Sequence, residues 1–272
     1  MIRHILFVLF GLLLGSGLFA QEYQFEIFNQ DKGLTQQYIY NIIQGKNGRI
    51  FLSTENGLVV FDGYNFQAFD KNNGLAENFI TQCLVTSQNK IITGHFQEGI
   101  SLGGRGKFSK LSGEALQGKK ISGLIEIESG VIIISTRGDG LYMLKNYTEL
   151  SKVNEVEEDF INSMAWLGKN MLAIGGNEGL TIFEVDGTTF RKKETIAALK
   201  GKTISALVSD GVTDIFAGVK DGGIYWVRKN AAGFKSRSMS RSDLMLADEE
   251  YTSFCLDRGR YLYVSLTNGG IR

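Results

Sequence analysis

Polar, charged and aromatic side chains recur just before a Gly-Leu or Gly-Ile pair along most of this chain. Carboxylates, cations, amides and an aromatic ring in neighbouring loops are groups that hydrogen-bond to a polar ligand such as a saccharide and stack against it. The candidate ligand-binding residues are His95, Phe96, Arg137, Asp139, Glu178, Lys220 and Asp221.

Constellations typical of enzymes are scarce. The chain has two histidines, and His4 lies in the apolar N-terminal segment, so His95 is the single candidate base for a Ser or Cys nucleophile. We expect His95 to be a solvent-exposed loop residue. The acidic residues around Asp159 are consecutive rather than spaced as in a calcium loop. The sequence therefore predicts no catalytic residue, no metal and no other cofactor, and the glycine-rich segment 103–107 is expected to be a hairpin turn.

Short apolar runs separated by turn residues must position these side chains. In residues 33–69 the runs are 39–43, 49–53, 58–61 and 66–69, with Asn-Gly and Asp-Gly pairs among the turns. Gly and Asn tolerate the positive φ of hairpin turns, so the unit predicts an antiparallel meander of four strands.

This unit repeats through the chain. The glycine of the Gly-Leu or Gly-Ile pair recurs at intervals of about 40–45 residues, and a period of that length with four short strands is typical of an all-β propeller. Solenoids of helix pairs have similar periods but need long amphipathic runs, which are absent here. About six blades are expected, the sixth truncated and the ring incomplete. The repeated glycines are Gly57, Gly99, Gly140, Gly179, Gly223 and Gly270.

Residues 1–20 have the layout of a secretory signal peptide, with Arg3 near the start, an apolar segment over 5–14, and Ala20 at the expected cleavage point. A membrane anchor is the alternative, but a spanning helix needs about 20 apolar residues. Residues 21–272 are predicted to form the exported propeller. Residues 23–28 match the fourth strand of the unit, so we expect them to close the ring by completing its last blade.

Charge and cysteine content narrow the possible partners. The 29 basic and 29 acidic residues give a net charge of zero, so neither nucleic acid nor an acidic membrane surface is a predicted partner. Cys83 and Cys255 lie in copies four units apart, too far for a disulfide. We expect both to be small buried hydrophobes.

The repeat resembles a known family in the residues that carry its turns and strands. These are Gly33-Leu34, Ile39 with Ile42, Asn47-Gly48 with Ile50, Thr54 with Gly57-Leu58, and Phe61-Asp62-Gly63. The pattern resembles the two-component regulator propeller repeat, although the usual Trp of the second strand is replaced by Phe51, Ile91 and Ile133 in the first three copies.

The resemblance implies a seven-bladed ring in the periplasmic sensor region of a histidine kinase that crosses the membrane once. A kinase output domain would then lie beyond Arg272, and a homodimer could form through the propeller. We therefore predict an extracytoplasmic, periplasmic or extracellular propeller that senses a small molecule or oligosaccharide. Two alternatives stay open: a secreted protein-interaction scaffold, and a propeller lyase or glycosidase. A glycosidase needs two facing carboxylates about 5–10 Å apart.

Overall fold

The computed structural model describes residues 26–36, 38–104, 106–111, 114–239, 251–257 and 259–266, with the side chains of Tyr251 and Leu266 excepted. The described chain is built of antiparallel strands, with short 3-10 turns between some of the sheets. No helix in these ranges has the length and apolar character needed to cross a membrane.

The strands form five four-stranded sheets and one two-stranded sheet. The first sheet contains β1 (Ile39–Gln44), β2 (Ile50–Thr54), β3 (Gly57–Phe61) and β4 (Phe66–Phe69). The second contains β5 (Ile80–Val85), β6 (Ile91–His95), β7 (Ile100–Gly104) and β8 (Lys107–Lys110). The third contains β9 (Lys120–Glu128), β10 (Val131–Arg137), β11 (Leu141–Lys145) and β12 (Glu149–Val153). The fourth contains β13 (Ile161–Leu167), β14 (Met171–Gly176), β15 (Leu180–Asp186) and β16 (Thr189–Thr195). The fifth contains β17 (Ile204–Ser209), β18 (Asp214–Val219), β19 (Gly223–Asn230) and β20 (Gly233–Ser238), and the sixth contains β21 (Tyr251–Leu256) and β22 (Leu262–Leu266).

The sheets are blades arranged around a channel. Their first strands, β1, β5, β9, β13, β17 and β21, contact one another in chain order, and each four-stranded blade pairs its strands in sequence order outward from that inner strand. The predicted all-β propeller with about six blades is confirmed, as is the meander of the first unit. The predicted hairpin after residue 103 also joins the third and fourth strands of its blade, β7 and β8.

The Gly-Leu and Gly-Ile pairs form the interfaces between blades. Their apolar members are fully buried, each in the cluster between its own blade and the next. Gly57 has φ +117°, and a Cβ at this position would overlap the carbonyl oxygen of Phe69 on the fourth strand. Burial of each Leu or Ile side chain stabilises the folded protein by about 1.5–3 kcal/mol. The buried members are Leu58, Ile100, Leu141, Leu180 and Ile224.

A small residue on each second strand lets the next blade approach. A Cβ added to Gly94 would lie 2.5 Å from Cγ2 of Ile121 on the following inner strand, and one added to Gly175 would lie 2.6 Å from Cγ2 of Ile204. Contacts that short do not occur between real side chains, so a larger residue would push the blades apart. The same position holds Ser53, Gly94, Ser135, Gly175, Gly218 and Ser265.

Within the described residues, the face of the first blade that points away from the second blade is partly exposed. Ile42 of β1 is 61% exposed, whereas Cys83 and Leu207 at the same position of other inner strands are 4% and 8% exposed. Glu26–Phe28, the described part of the predicted closing strand, form no strand, and the ring of Phe28 packs edge-on against Phe61 instead. Residues 23–25, the signal peptide and Gly270 lie outside the described residues.

The sixth blade is held by charged side chains. Arg260 donates from Nη2 to Asp210, in the turn before β18 of the fifth blade, at 2.7 Å and to Asp214, the first residue of β18, at 2.9 Å. Both cysteines are free, as predicted. Cys83 is buried, but the expectation of a buried Cys255 is wrong: it is exposed because the described part of the sixth blade has two strands and no following blade packs on its face.

Candidate functional site at the channel mouth

Each inner strand carries a bulge residue near its start, and these residues line the channel. The register shifts after the first residue of the inner strand, or after the second residue in β9, so the residue that follows is left unpaired. Such a bulge turns a side chain out of the sheet's regular alternation. The bulge residues are Tyr40, Thr81, Ser122, Asn162, Ser205 and Thr252, and all six line a cavity of about 330 Å³.

Several bulge hydroxyls are hydrogen-bonded to backbone carbonyls of their own blade or of the next blade. Thr81 donates from Oγ1 to the carbonyl of Ile121 at 2.7 Å and lies 3.1 Å from that of Gly94. Ser205 donates to Gly218 O at 3.2 Å. Each hydroxyl donates its proton to a carbonyl, and its oxygen keeps lone pairs that can accept a hydrogen bond from a ligand in the channel.

Aromatic side chains lie at one side of the channel mouth: Tyr40 lines the cavity, and Phe79 and Phe96 adjoin it through their contacts with Tyr40 and Lys120. The rings of Phe79 and Phe96 stack with centroids 4.8 Å apart and planes 10° from parallel, and Tyr40 lies 4.9 Å from Phe79. Tyr40 donates from its hydroxyl to Glu55, and this hydrogen bond, with burial and the carboxylate's charge, raises the pKa of Tyr40 to about 12. These rings offer a half-buried apolar surface beside polar groups.

Two cations form the neighbouring side of the mouth. Lys120, the first residue of β9, and Arg137, the last residue of β10, are directly opposite each other and line the 330 Å³ cavity. The Lys120 ammonium lies 5.5 Å from the centre of the Phe96 ring. Burial, helped by the charge of Arg137, lowers the pKa of Lys120. Within the described part of the chain neither cation has a carboxylate within 4 Å.

The sequence-predicted residues do not form one cluster. Phe96 and Arg137 lie at the channel mouth. Glu178 lines a separate acidic groove of about 430 Å³ over the fourth blade. Lys220 and Asp221 line a third, more open depression of about 280 Å³.

The expectation of an exposed loop histidine is wrong. His95 is the last residue of β6 and has no exposed surface. Its Nε2 lies 2.8 Å from Ser101 Oγ and 3.2 Å from Thr93 Oγ1. Burial lowers the pKa of His95 to about 4, and the backbone carbonyls of Phe79 and Glu77 oppose part of this shift. The His95–Ser101 pair has no surface accessible to a substrate.

Asp139 is held by its own neighbours. Its carboxylate accepts hydrogen bonds from Lys119 and Tyr142, and from Lys152 at 2.6 Å. These three donors hold the pKa of Asp139 well below its usual range, against the opposing effect of burial. Because Lys119 also donates to the carbonyl of Ala115, the cluster ties the connection between blades to the loop at Asp139.

The bulge residues and Lys120 escaped prediction from the sequence. The repeat pattern indicated the loops between second and third strands as the place of binding residues. Tyr40, Lys120 and Asn162 lie instead at the start of inner strands. The available signal was a polar or unusual residue directly after the first apolar residue of each inner run. That position breaks strict alternation, and a break of this kind marks a bulge.

The fold and the polar channel define this protein as a β-propeller with a candidate binding site at one end of the channel. No family model matches the sequence, and no curated protein matches it.

Solved structures share the fold. The extracellular domain of BT3049, assigned to a hybrid two-component system of B. thetaiotaomicron, is 16% identical with a TM-score of 0.51, over 88% of this chain and 39% of that one. The extracellular domain of BT4673 from the same organism, assigned to a one-component system, is 18% identical with a TM-score of 0.55, over 86% and 39%. The gluconolactonase XC5397 of Xanthomonas campestris is 12% identical with a TM-score of 0.57, over 81% and 80%. The chain thus spans about 39% of the two extracellular domains, and at these identities the likeness is one of fold.

Proposed function

We propose that this chain is an extracytoplasmic ligand-binding propeller in the sensor region of a two-component signalling protein, with a saccharide as its ligand. The observation that carries the proposal is the channel mouth, where a stacked aromatic surface stands beside a ring of hydroxyl and amide groups. Saccharides are bound by this combination, because their C–H faces pack on aromatic rings while their hydroxyls exchange hydrogen bonds. The shared fold with two extracellular domains of signalling systems supports the sensor role.

Export by the leader at residues 1–20, the output domain and a homodimer belong to the same proposal. A ligand can change the state of an output domain only by binding two arrangements of the sensor with different affinity. The rigid blades provide a fixed binding surface, so the second arrangement would lie in how two propellers, or the propeller and the membrane segment, are oriented.

The three carboxylates predicted from the sequence are dispersed, which weakens the glycosidase alternative for these residues. Asp139 is engaged by two lysines and a tyrosine, while Glu178 and Asp221 line different depressions. A glycosidase needs two carboxylates facing one bond.

Thermal unfolding of the purified chain with a panel of neutral and acidic oligosaccharides tests the binding site. A ligand that binds only the native state must raise the unfolding midpoint. We expect Phe96→Ala to abolish that rise, because it removes half of the aromatic stack. Tyr64→Ala is the matched control, since Tyr64 is an exposed aromatic in the turn between β3 and β4 and is remote from the mouth. A rise that survives Phe96→Ala unchanged would place the ligand elsewhere.

A further inference from the structure

Two cations face each other across strands at the channel mouth in the third blade. Lys120 and Arg137 are register partners on β9 and β10. Like charges directly opposite each other in an antiparallel pair are destabilising. The corresponding positions of the second and fifth blades avoid this repulsion, with Phe79 beside Phe96 and Thr203 beside Lys220.

No charge in the cavity compensates the two cations. The described residues that line the 330 Å³ cavity include Lys120 and Arg137 and no carboxylate. The carboxylate of Glu55, at the rim, accepts a hydrogen bond from the hydroxyl of Tyr40. Lys120 is half-buried against Phe96, so part of its hydration has been lost. A partly desolvated cation without a countercharge is unfavourable in the unliganded protein.

A local arrangement that costs stability is expected where a binding site requires it. The groups beside the cations are hydroxyls and amides, from Ser122, Asn162 and Ser205. These groups suit a ligand with several hydroxyls, while the cations require a negative charge on it.

We propose that the ligand of the channel mouth carries an acidic group, and that Lys120 and Arg137 bind this group while the aromatic and hydroxyl side chains bind the neutral part of a saccharide. A uronic-acid oligosaccharide has this chemistry. The inference rests on the proposed function, because it names the ligand class of that same site. The negative charge would replace the repulsion between the two cations with two attractive contacts.

Calorimetric titration of the full chain with uronate trisaccharides tests the proposal. The probes are trigalacturonate, triglucuronate and trimannuronate, the methyl ester of each as a neutral molecule with the same skeleton, and inorganic sulfate. We expect at least one acid to bind at least about tenfold more tightly than its ester, with weaker binding at higher ionic strength. Lys120→Gln and Arg137→Gln should each weaken binding of that acid about tenfold or more.

Lys220→Gln is the matched control, since Lys220 is an exposed cation at the corresponding position of the fifth blade but lines a different depression. It should bind the acid like the native chain. Equal binding of acid and ester would overturn the acidic-ligand proposal and leave the saccharide site standing. Binding of none of the trisaccharides, acid or ester, would overturn the acidic-ligand proposal, and the neutral panel then decides the proposed function. Binding of sulfate with none of the trisaccharides would overturn the acidic-saccharide proposal in the same way and would leave only an anion site.

The unliganded protein provides a readout that needs no ligand. Removing one of two repelling charges should raise the unfolding midpoint of Lys120→Gln by about 1–3 °C at low salt, and less in 0.5 M NaCl. Lys220→Gln should leave the midpoint within about 1 °C. A lower midpoint for Lys120→Gln would show that Lys120 stabilises the blade through its contact with Phe96, and would contradict the proposal.

Discussion

The second-strand residue that pairs with the first apolar residue of the inner strand is Thr in two blades and His in another. Thr54 and Thr136 each donate from Oγ1 to the carbonyl of the glycine in the Gly-Leu pair that follows, at 2.8 and 3.0 Å. His95 occupies this position in the second blade and turns inward to Ser101. His95, the single candidate catalytic base in the sequence, is therefore a buried structural residue.

His95 should make stability depend on pH. Its pKa is about 4 in the native protein and about 6.5 in an unfolded chain. Between these values the unfolded chain binds a proton that the native protein does not, so stability falls as the pH falls from about 6.5 to about 4. The total loss from this group is about 3 kcal/mol.

Urea unfolding of the native chain and of His95→Gln at pH 7 and pH 4.5 measures this loss. Gln keeps a polar group near Ser101 but does not titrate. The contribution of the carboxylates is common to both chains, so the difference between their pH dependences isolates the histidine. Parallel curves for the two chains would show that His95 is not the titrating group.

At the scale of the elements, each inner strand combines an apolar residue near its start, a bulge residue directly after it and a small partner on the second strand. The bulge turns a polar side chain into the channel, and the small partner lets the next blade approach. One local feature thus serves both the packing between blades and the lining of the candidate site. The sequence alternation alone would have placed the bulge side chain on a sheet face.

Gly175→Ala tests the packing between the fourth and fifth blades. The added Cβ would lie 2.6 Å from Ile204 Cγ2, so the blades must separate or Ile204 must leave its rotamer. We expect a loss of about 1–3 kcal/mol in the free energy of unfolding.

Gly104→Ala is the control, because a Cβ there would meet no atom within 4 Å. It should cost less than about 1 kcal/mol when measured by the same urea titration. Equal losses for the two variants would mean that close approach of the blades is not what requires glycine at position 175.

At the scale of the whole molecule, the last described blade is attached to the fifth blade by an arginine. That blade has two described strands, and Arg260 links it to Asp210 and Asp214 of the fifth. Asp214 is also held by Arg228 through two hydrogen bonds of 2.6 and 2.8 Å. The fifth blade therefore keeps its own carboxylate paired when the sixth detaches.

Arg260→Gln should loosen the sixth blade selectively. We expect amide hydrogen exchange in β21 and β22 to become roughly fivefold faster, as a loss of about 1 kcal/mol of local stability requires, while β13–β16 stay protected. Arg191→Gln is the control, since Arg191 lies 4.0 Å from Glu184 in an exposed pair. Uniform acceleration of amide exchange across all blades would indicate that the ion pairs of Arg260 support global rather than local stability.

Much of the architecture could be predicted because local residue types determine where strands and turns begin. The Gly-Leu and Gly-Ile pairs mark where the third strands begin, and the Asn-Gly and Asp-Gly turns separate the strands of the first blade. These signals depend on backbone conformation, which neighbouring residues largely fix. The free state of Cys83 and Cys255 followed from the distance between repeats in the same way.

The sequence by itself determined a propeller of repeated blades and the position of its loops. Only the tertiary structure decided that Lys120 and Arg137 share a cavity with Tyr40 and Asn162, that His95 is buried and that Asp139 is already paired. Residues of one blade are neighbours in sequence, and their pairing is local. The channel is formed by inner strands about forty residues apart, so its chemistry depends on how the blades close around it.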